Sequence, residues 1–169
     1  MRRVLPLGLL VLTTVVVQVA FMPHLRLFGV VPDLGLVLAI AIAYHDDAET
    51  AAIVGFATGL GFDLFLRTPV GASALAYAVT GYATGVIQAS LIRSSRWLPF
   101  VLGGLGGLIG GLIFAVIAIL AGTDSLIHLT TVGIVARAAL YDAIAALVVF
   151  PLVDRFVRTR VAPPMTWRD

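Results

Sequence analysis

The sequence predicts an all-α integral membrane protein with six transmembrane helices. Of its 169 residues, 60% are hydrophobic and only 12% are charged. A soluble domain has roughly half of its residues apolar and about a quarter charged. The apolar residues also lie in long runs, and a bilayer core of ~30 Å needs ~20 such residues for each helix. The chain therefore has room for six crossings with short connections and for no separate soluble domain.

Five of the six predicted spans are long apolar runs, but the second is short. Residues 34–44 would form only ~17 Å of helix. Either a longer helix is kinked at Pro32, or the helix begins at Asp33 after an irregular segment packed within the protein. In the second case Asp33 caps the helix, because its carboxylate can accept hydrogen bonds from free N–H groups. The predicted spans are residues 4–22, 34–44, 48–66, 70–92, 98–121 and 132–153.

The last apolar stretch, residues 126–153, is longer than one crossing requires. Its 28 residues would give ~42 Å of helix, so we expect the part through about Thr131 to lie along the interface. We expect residues 1–153 to form one six-helix transmembrane domain. Residues 154–169 are expected to form a short basic cytoplasmic tail.

The basic residues predict the orientation of the chain, and all 11 are arginine. If the N-terminus is cytoplasmic, Arg26 and Arg67 lie outside, Arg137 lies within a span and the other eight lie inside. Cytoplasmic loops are enriched in basic residues, so we expect a multi-pass protein with both termini in the cytoplasm. The arginines indicate topology and contact with the lipid bilayer, and we expect no nucleic-acid partner. The eight are Arg2, Arg3, Arg93, Arg96, Arg155, Arg158, Arg160 and Arg168.

Two predicted spans carry stripes of small residues. Gly55 and Gly59 are four residues apart in the third span, and Gly103, Gly107 and Gly111 continue the same spacing in the fifth. Residues four apart share one helix face, and small residues there let another helix approach closely in a membrane. The contact could be internal or with a partner. We expect one stripe to close the bundle and a second to remain for another helix.

Apart from Glu49 at the start of the third span, three aspartate or arginine residues lie inside the predicted spans: Asp63, Arg137 and Asp142. Such residues are costly in a bilayer and need a partner, water or a neutral state. Asp63 could end its helix by bonding to the turn at Thr68 and Gly71. It could instead pair with Arg137, since both are expected in the outer half of the membrane. This interhelical ion pair is our hypothesis.

The sequence offers no set of residues for catalysis or metal binding. No Ser–His–Asp set or pair of metal ligands stands at a useful spacing. The absence of cysteine excludes disulfides and thiolate metal sites. His45 lies near Asp46 and Glu49, but the spacing of these two acids is typical of a capping box at a helix start. We therefore expect no enzymatic activity, no metal and no cofactor.

Ten residues form a pattern that matches a known family. They are Pro32, Asp33 and Leu34, then Gly55, Gly59 and Asp63, then Pro69, Gly71, Leu75 and Tyr77. With this pattern, the chain length and the near-absence of soluble loops, the chain resembles the MreD family of bacterial rod shape-determining membrane proteins. One position departs from the family pattern, in which an asparagine is expected near Tyr141, where Asp142 stands here.

This resemblance implies a non-enzymatic part of the cell-wall elongation machinery in the bacterial inner membrane. MreD-like proteins associate with MreC, a single-span protein with a periplasmic domain. That complex is linked to the glycosyltransferase RodA, its class B penicillin-binding protein and cytoplasmic MreB filaments. The family is also similar in fold to the S-components of energy-coupling-factor vitamin transporters. A substrate-binding subunit of that kind is the alternative, although the first span lacks the Ala-x-x-x-Ala docking face of S-components.

The arginine distribution leads to a test of topology. Reporter fusions after Met1, at Ser94 and after Asp169 should read cytoplasmic, and a fusion at Asp124 should read external, because the arginine-rich side faces the cytoplasm. An external reading after Asp169 would mean that the second span does not cross and that five spans remain.

Overall fold

The computed structural model describes residues 4–26, 29–65, 69–88, 97–122 and 129–158. The described chain is all-α, as predicted, with six α-helices and one short 3-10 turn at Met22–Leu25. The α-helices are α1 (Val4–Ala20), α2 (Leu34–His45), α3 (Ala48–Asp63), α4 (Ala72–Gln88), α5 (Leu98–Leu120) and α6 (Leu129–Arg158).

Helix α2 is the centre of the bundle and packs against all five other helices. Every residue from Gly35 to Ala43 is buried. The helix is apolar on all faces, which is the pattern of a helix enclosed by protein. Its 12 residues make ~18 Å of helix, less than the ~30 Å of hydrocarbon in a bilayer. Helix α2 alone is therefore shorter than the thickness of the hydrocarbon core.

Two aspartates define where α2 and α3 begin. Asp33 caps α2 by accepting the Leu36 N–H at 3.1 Å, so the helix begins after Pro32 and the kinked alternative is wrong. Asp47, not Asp46, caps α3, because its Oδ1 accepts the Thr50 N–H at 2.7 Å. Asp46 still belongs to the end of α2, since its N–H donates to the carbonyl of Ile42 at 2.7 Å.

Helices α3 and α4 approach until their backbones touch, and small residues on both sides permit it. A Cβ atom added to Gly59 would lie 2.6 Å from the Cα of Ala74. One added to Gly55 would lie 2.7 Å from the carbonyl oxygen of Tyr77. Two glycines of α4 make the same kind of contact with α3: Gly81 lies against Ala51, and Gly85 lies against Ala48. The predicted stripe on α3 is thus an internal contact.

Helix α5 has glycines on two faces, and both faces are internal. Gly103 lies against Ala146 and the Asp142 carbonyl, Gly107 against Asp142 and Ala139, and Gly111 against Val135, all on α6. On the other face, Gly106 lies against Ile40 and Gly110 against Leu36, both on α2. The expectation that one glycine stripe remains for a partner helix is therefore wrong. Both stripes are used for contacts among α2 and the helices packed around it.

Two helical segments of the described chain are long and apolar enough to cross a membrane, Leu98–Leu120 and Thr131–Val157. In the most apolar 18-residue stretch of each segment, only 28% and 22% of the window, respectively, is buried inside the protein. The segments Leu5–Ala20 and Leu34–His45 are apolar but shorter.

Helix α6 differs from the prediction at both ends. It is continuous from Leu129, so residues 129–131 belong to the helix and not to a separate interfacial piece. It also continues past Val153 to Arg158, with Pro151 inside it. Membrane helices tolerate an internal proline when neighbouring groups satisfy the freed backbone. The expected tail beyond Arg158 and residues 123–128 lie outside the described residues.

The α3–α4 contact leads to a matched test with two glycines. Gly59→Ala should lower the thermal stability of the detergent-purified protein, because overpacking a close contact costs ~1–3 kcal/mol. Gly133→Ala is the control, since a Cβ there meets nothing within 4 Å and alanine favours helix by about 1 kcal/mol. Equal melting temperatures for the two variants would contradict the close contact.

Candidate functional site

The candidate site is a polar cluster at the start of α2, where side chains of three other helices meet the chain at Asp33. The Asp33 N–H donates to Oδ1 of Asp142 on α6 at 2.6 Å. The Tyr77 hydroxyl on α4 donates to Oδ2 of Asp33. Both partners are buried, Asp142 with 1% and Tyr77 with 3% of its surface exposed. The cluster therefore ties α2, α4 and α6 together inside the bundle.

Gln18 of α1 completes the cluster by bonding to the backbone on both sides of Asp33. Its Nε2 donates to the Pro32 carbonyl at 3.0 Å, and its Oε1 accepts the Leu34 N–H at 2.8 Å. Non-helical backbone at membrane depth is tolerated only where such groups are satisfied. Sequence reasoning missed this role. The available signal was one amide side chain in a helix otherwise built mainly from valine and leucine.

A glycine of α5 makes room for the Asp142 carboxylate. A Cβ atom on Gly107 would lie 2.5 Å from Asp142 Oδ2 and 2.9 Å from its Cβ, so a larger residue would displace the carboxylate that holds Asp33. Tyr77 is placed in a similar way, because Gly35 lies under its ring. A Cβ on Gly35 would lie 2.8 Å from Tyr77 Cε2. Two glycines thus position the two side chains that bind Asp33.

Asp63 forms a second polar junction, between the end of α3 and the start of α4. Its carboxylate accepts the N–H groups of Gly71 at 2.8 Å and of Ser73 and Ala74 at 3.3 Å. Gly71 has φ +98°, a left-handed conformation that glycine adopts without steric cost. The Pro69 carbonyl accepts the Ala72 N–H at 3.1 Å. Asp63 therefore caps α4 from the preceding helix, which agrees with the predicted bond to the turn at Gly71. Thr68 lies outside the described residues.

The hypothesis of an Asp63–Arg137 ion pair is wrong. Asp63 is 1% exposed and bonds to α4, whereas the exposed Arg137 donates from Nε to the Gly133 carbonyl of its own helix at 2.9 Å. Helices α3 and α6 both pack on α2 and make no substantial contact with each other. The Asp63 carboxylate is therefore satisfied at the start of α4 and does not pair with Arg137.

The side chains of the Asp33 cluster and of the Asp63 junction hold helices together. Asp33, Gln18 and Asp63 each bond to backbone groups at helix starts. In the described part of the chain, no group of three or more His, Cys, Asp or Glu side chains could hold a metal ion. At the opposite end of α2, His45 Nδ1 lies 3.5 Å from Asp154 Oδ1 of α6. Both ends of the central helix are thus tied to α6.

The two local arrangements lead to a double-mutant test. Asp63→Ala should lower the thermal stability in detergent substantially, because it removes the acceptor of backbone N–H groups. A buried N–H group left without an acceptor costs about 1–3 kcal/mol of stability. Arg137→Gln should have a small effect. The double variant should lose the sum of the two, as independent sites do. A loss clearly smaller than the sum would restore the ion pair.

Comparison with protein families matches residues 1–160 of this chain to the family of rod shape-determining protein MreD. Comparisons with curated proteins and with solved structures gave no match, so the likeness to the S-component fold stays a prediction. The family match covers all six helices, the Asp33 cluster and the Asp63 junction. The chain belongs to the MreD family.

Proposed function

We propose that this protein is a non-enzymatic membrane scaffold of the cell-wall elongation machinery, which binds an MreC-type single-span protein and supports rod shape and peptidoglycan synthesis. The observation that carries the proposal is the family match over residues 1–160. RodA and a class B penicillin-binding protein are proposed as further members of the same assembly.

The use of the buried polar groups supports a scaffold. Gln18, Asp33 and Asp63 are occupied by bonds to the backbone at helix starts. Asp142 and Tyr77 in turn bond to Asp33. These bonds hold helices at fixed positions, and a rigid body of this kind presents constant surfaces to other membrane helices.

The outer surface supports a membrane location. Large apolar side chains are exposed on each of the five helices around α2, such as Leu9, Ile53, Val79, Ile109 and Ile144. Such surfaces are stable in contact with lipid or with other apolar helices. We propose six crossings in the bacterial inner membrane with both termini in the cytoplasm, which the arginine distribution supports.

Affinity purification from native membranes tests this function. The tagged protein should recover an MreC-type protein of the same organism at near-stoichiometric amounts, and depletion of the tagged chain should make rod-shaped cells round. Recovery of an ATPase-bearing energy-coupling module, or tight binding of a vitamin, would reject the scaffold and support the S-component alternative. A parallel extraction in a second, milder detergent controls for complexes lost during extraction.

A further inference from the structure

A shallow groove runs along the outside of the bundle between α1 and α3. It is lined by Leu7, Gly8 and Val11 of α1 and by Thr50, Ile53 and Ala57 of α3, and its volume is about 320 Å³. The two helices are close together at one end, where a Cβ on Gly61 would lie 3.0 Å from Val15 Cγ2. At Gly8 a Cβ would meet nothing within 4 Å. The groove therefore opens toward the start of both helices.

Small side chains form part of the groove surface and face outward. Gly8 and Ala57 are both exposed, and Ile53 stands beside them with 69% of its surface exposed. Small residues of this kind let an added transmembrane helix come close to the backbone. The glycine stripes on the other side of α3 and on α5 are already filled by α4, α6 and α2, whereas the surface at Gly8 is open.

An acidic depression continues the groove at its open end. It is lined by Asp47, Ala48, Glu49, Thr50, Ile53 and Tyr82, and it shares Thr50 and Ile53 with the groove. Asp47 and Glu49 are exposed, and among the described residues that line the depression none is basic. The hydrogen bond from the Thr50 N–H is the main cause that lowers the pKa of the Asp47 carboxyl, so this carboxylate is charged at neutral pH.

The exposed carboxylates of Asp47 and Glu49 favour a partner that carries basic residues at this end of the groove. The depression lies at the end where α1 begins, which is the cytoplasmic end in the proposed orientation. Single-span helices carry their arginines and lysines on that same side. A helix lying in the groove would place its basic flank beside Asp47 and Glu49. Anionic lipid headgroups would instead be repelled by these two carboxylates, which favours a protein occupant.

We propose that the α1–α3 groove, together with its acidic end, is the docking surface for the transmembrane helix of a single-span partner with a basic cytoplasmic flank. This inference rests on the proposed function and adds the place and polarity of the contact. Apolar side chains of the partner fill the groove beside Gly8 and Ala57. The two carboxylates set the direction and register of the partner helix, as complementary charges do at interfaces.

Co-expression with the full-length MreC-type protein of the same organism tests the surface. Gly8→Trp should reduce co-purification of the partner at least tenfold, because the indole occupies the groove. Gly133→Trp is the matched control, since Gly133 is an exposed glycine of α6 with nothing within 4 Å, and it should leave recovery unchanged. Wild-type melting temperatures for both variants would show that each still folds.

A charge variant tests the acidic end separately. Asp47→Asn combined with Glu49→Gln removes both charges, and asparagine remains a good helix cap. Recovery of the partner should fall severalfold at low ionic strength, and the difference from wild type should shrink in high salt, which screens exposed charges. Equal recovery at low ionic strength would overturn the part of the proposal that concerns the charges.

Cross-linking gives the position directly, because the chain has no cysteine of its own. Ala57→Cys should form a disulfide with single cysteines placed along the partner's span, and Gly133→Cys should not. Cross-links at Gly133 with unchanged recovery of Gly8→Trp would overturn the groove while leaving the scaffold function intact. Disulfide-linked dimers of Ala57→Cys, or a phospholipid displaced by Gly8→Trp in native mass spectrometry, would also overturn it. Failure of the wild type to recover the partner would reject both proposals.

Discussion

The structure depends on satisfying the backbone where the chain enters the central helix. Helix α2 is only 12 residues long and enclosed by the other five, and residues 30–33 just before it are non-helical and wholly or partly buried. In an apolar environment each unsatisfied N–H or C=O costs several kcal/mol. Gln18, Asp33 and Asp142 supply the missing partners from three different helices. The position of α1 and α6 relative to α2 follows from these bonds.

The polar cluster and the glycine contacts are one system. Asp142 can reach Asp33 because Gly107 leaves space for its carboxylate, and Tyr77 can reach Asp33 because Gly35 lies under its ring. The same Tyr77 presents its carbonyl to Gly55, where α3 and α4 touch. Helix association in a membrane relies on close packing and hydrogen bonding, since lipid is as apolar as the side chains. In this bundle the glycine contacts make room for the side chains that hydrogen-bond to Asp33.

Because the glycine stripes on α3 and α5 are internal, the proposed partner must use a different surface. The helices around α2 carry exposed apolar side chains. Between α1 and α3 the surface is concave, and it is joined to exposed carboxylates at one end. The proposed scaffold function calls for such an asymmetric feature, because a uniform apolar surface would bind lipid and any apolar helix equally well. Charge at one end supplies the direction that apolar packing lacks.

The sequence by itself determined the helical class, the approximate bounds of most helices and the family, and it offered the capping role of Asp33 as one of two alternatives. These follow from local properties: run length, residue periodicity and the side chains that begin a helix. Only the tertiary structure decided what Gln18, Asp63 and Arg137 contact, and which glycine faces which helix. Residues on one face of a helix can be read from spacing, but the neighbour of that face depends on how six helices are arranged. Asp63 and Arg137 were both expected in the outer half of the membrane, yet their helices both pack on α2 and make no substantial contact with each other. Asp63 bonds to the start of α4, and Arg137 donates to the Gly133 carbonyl of its own helix.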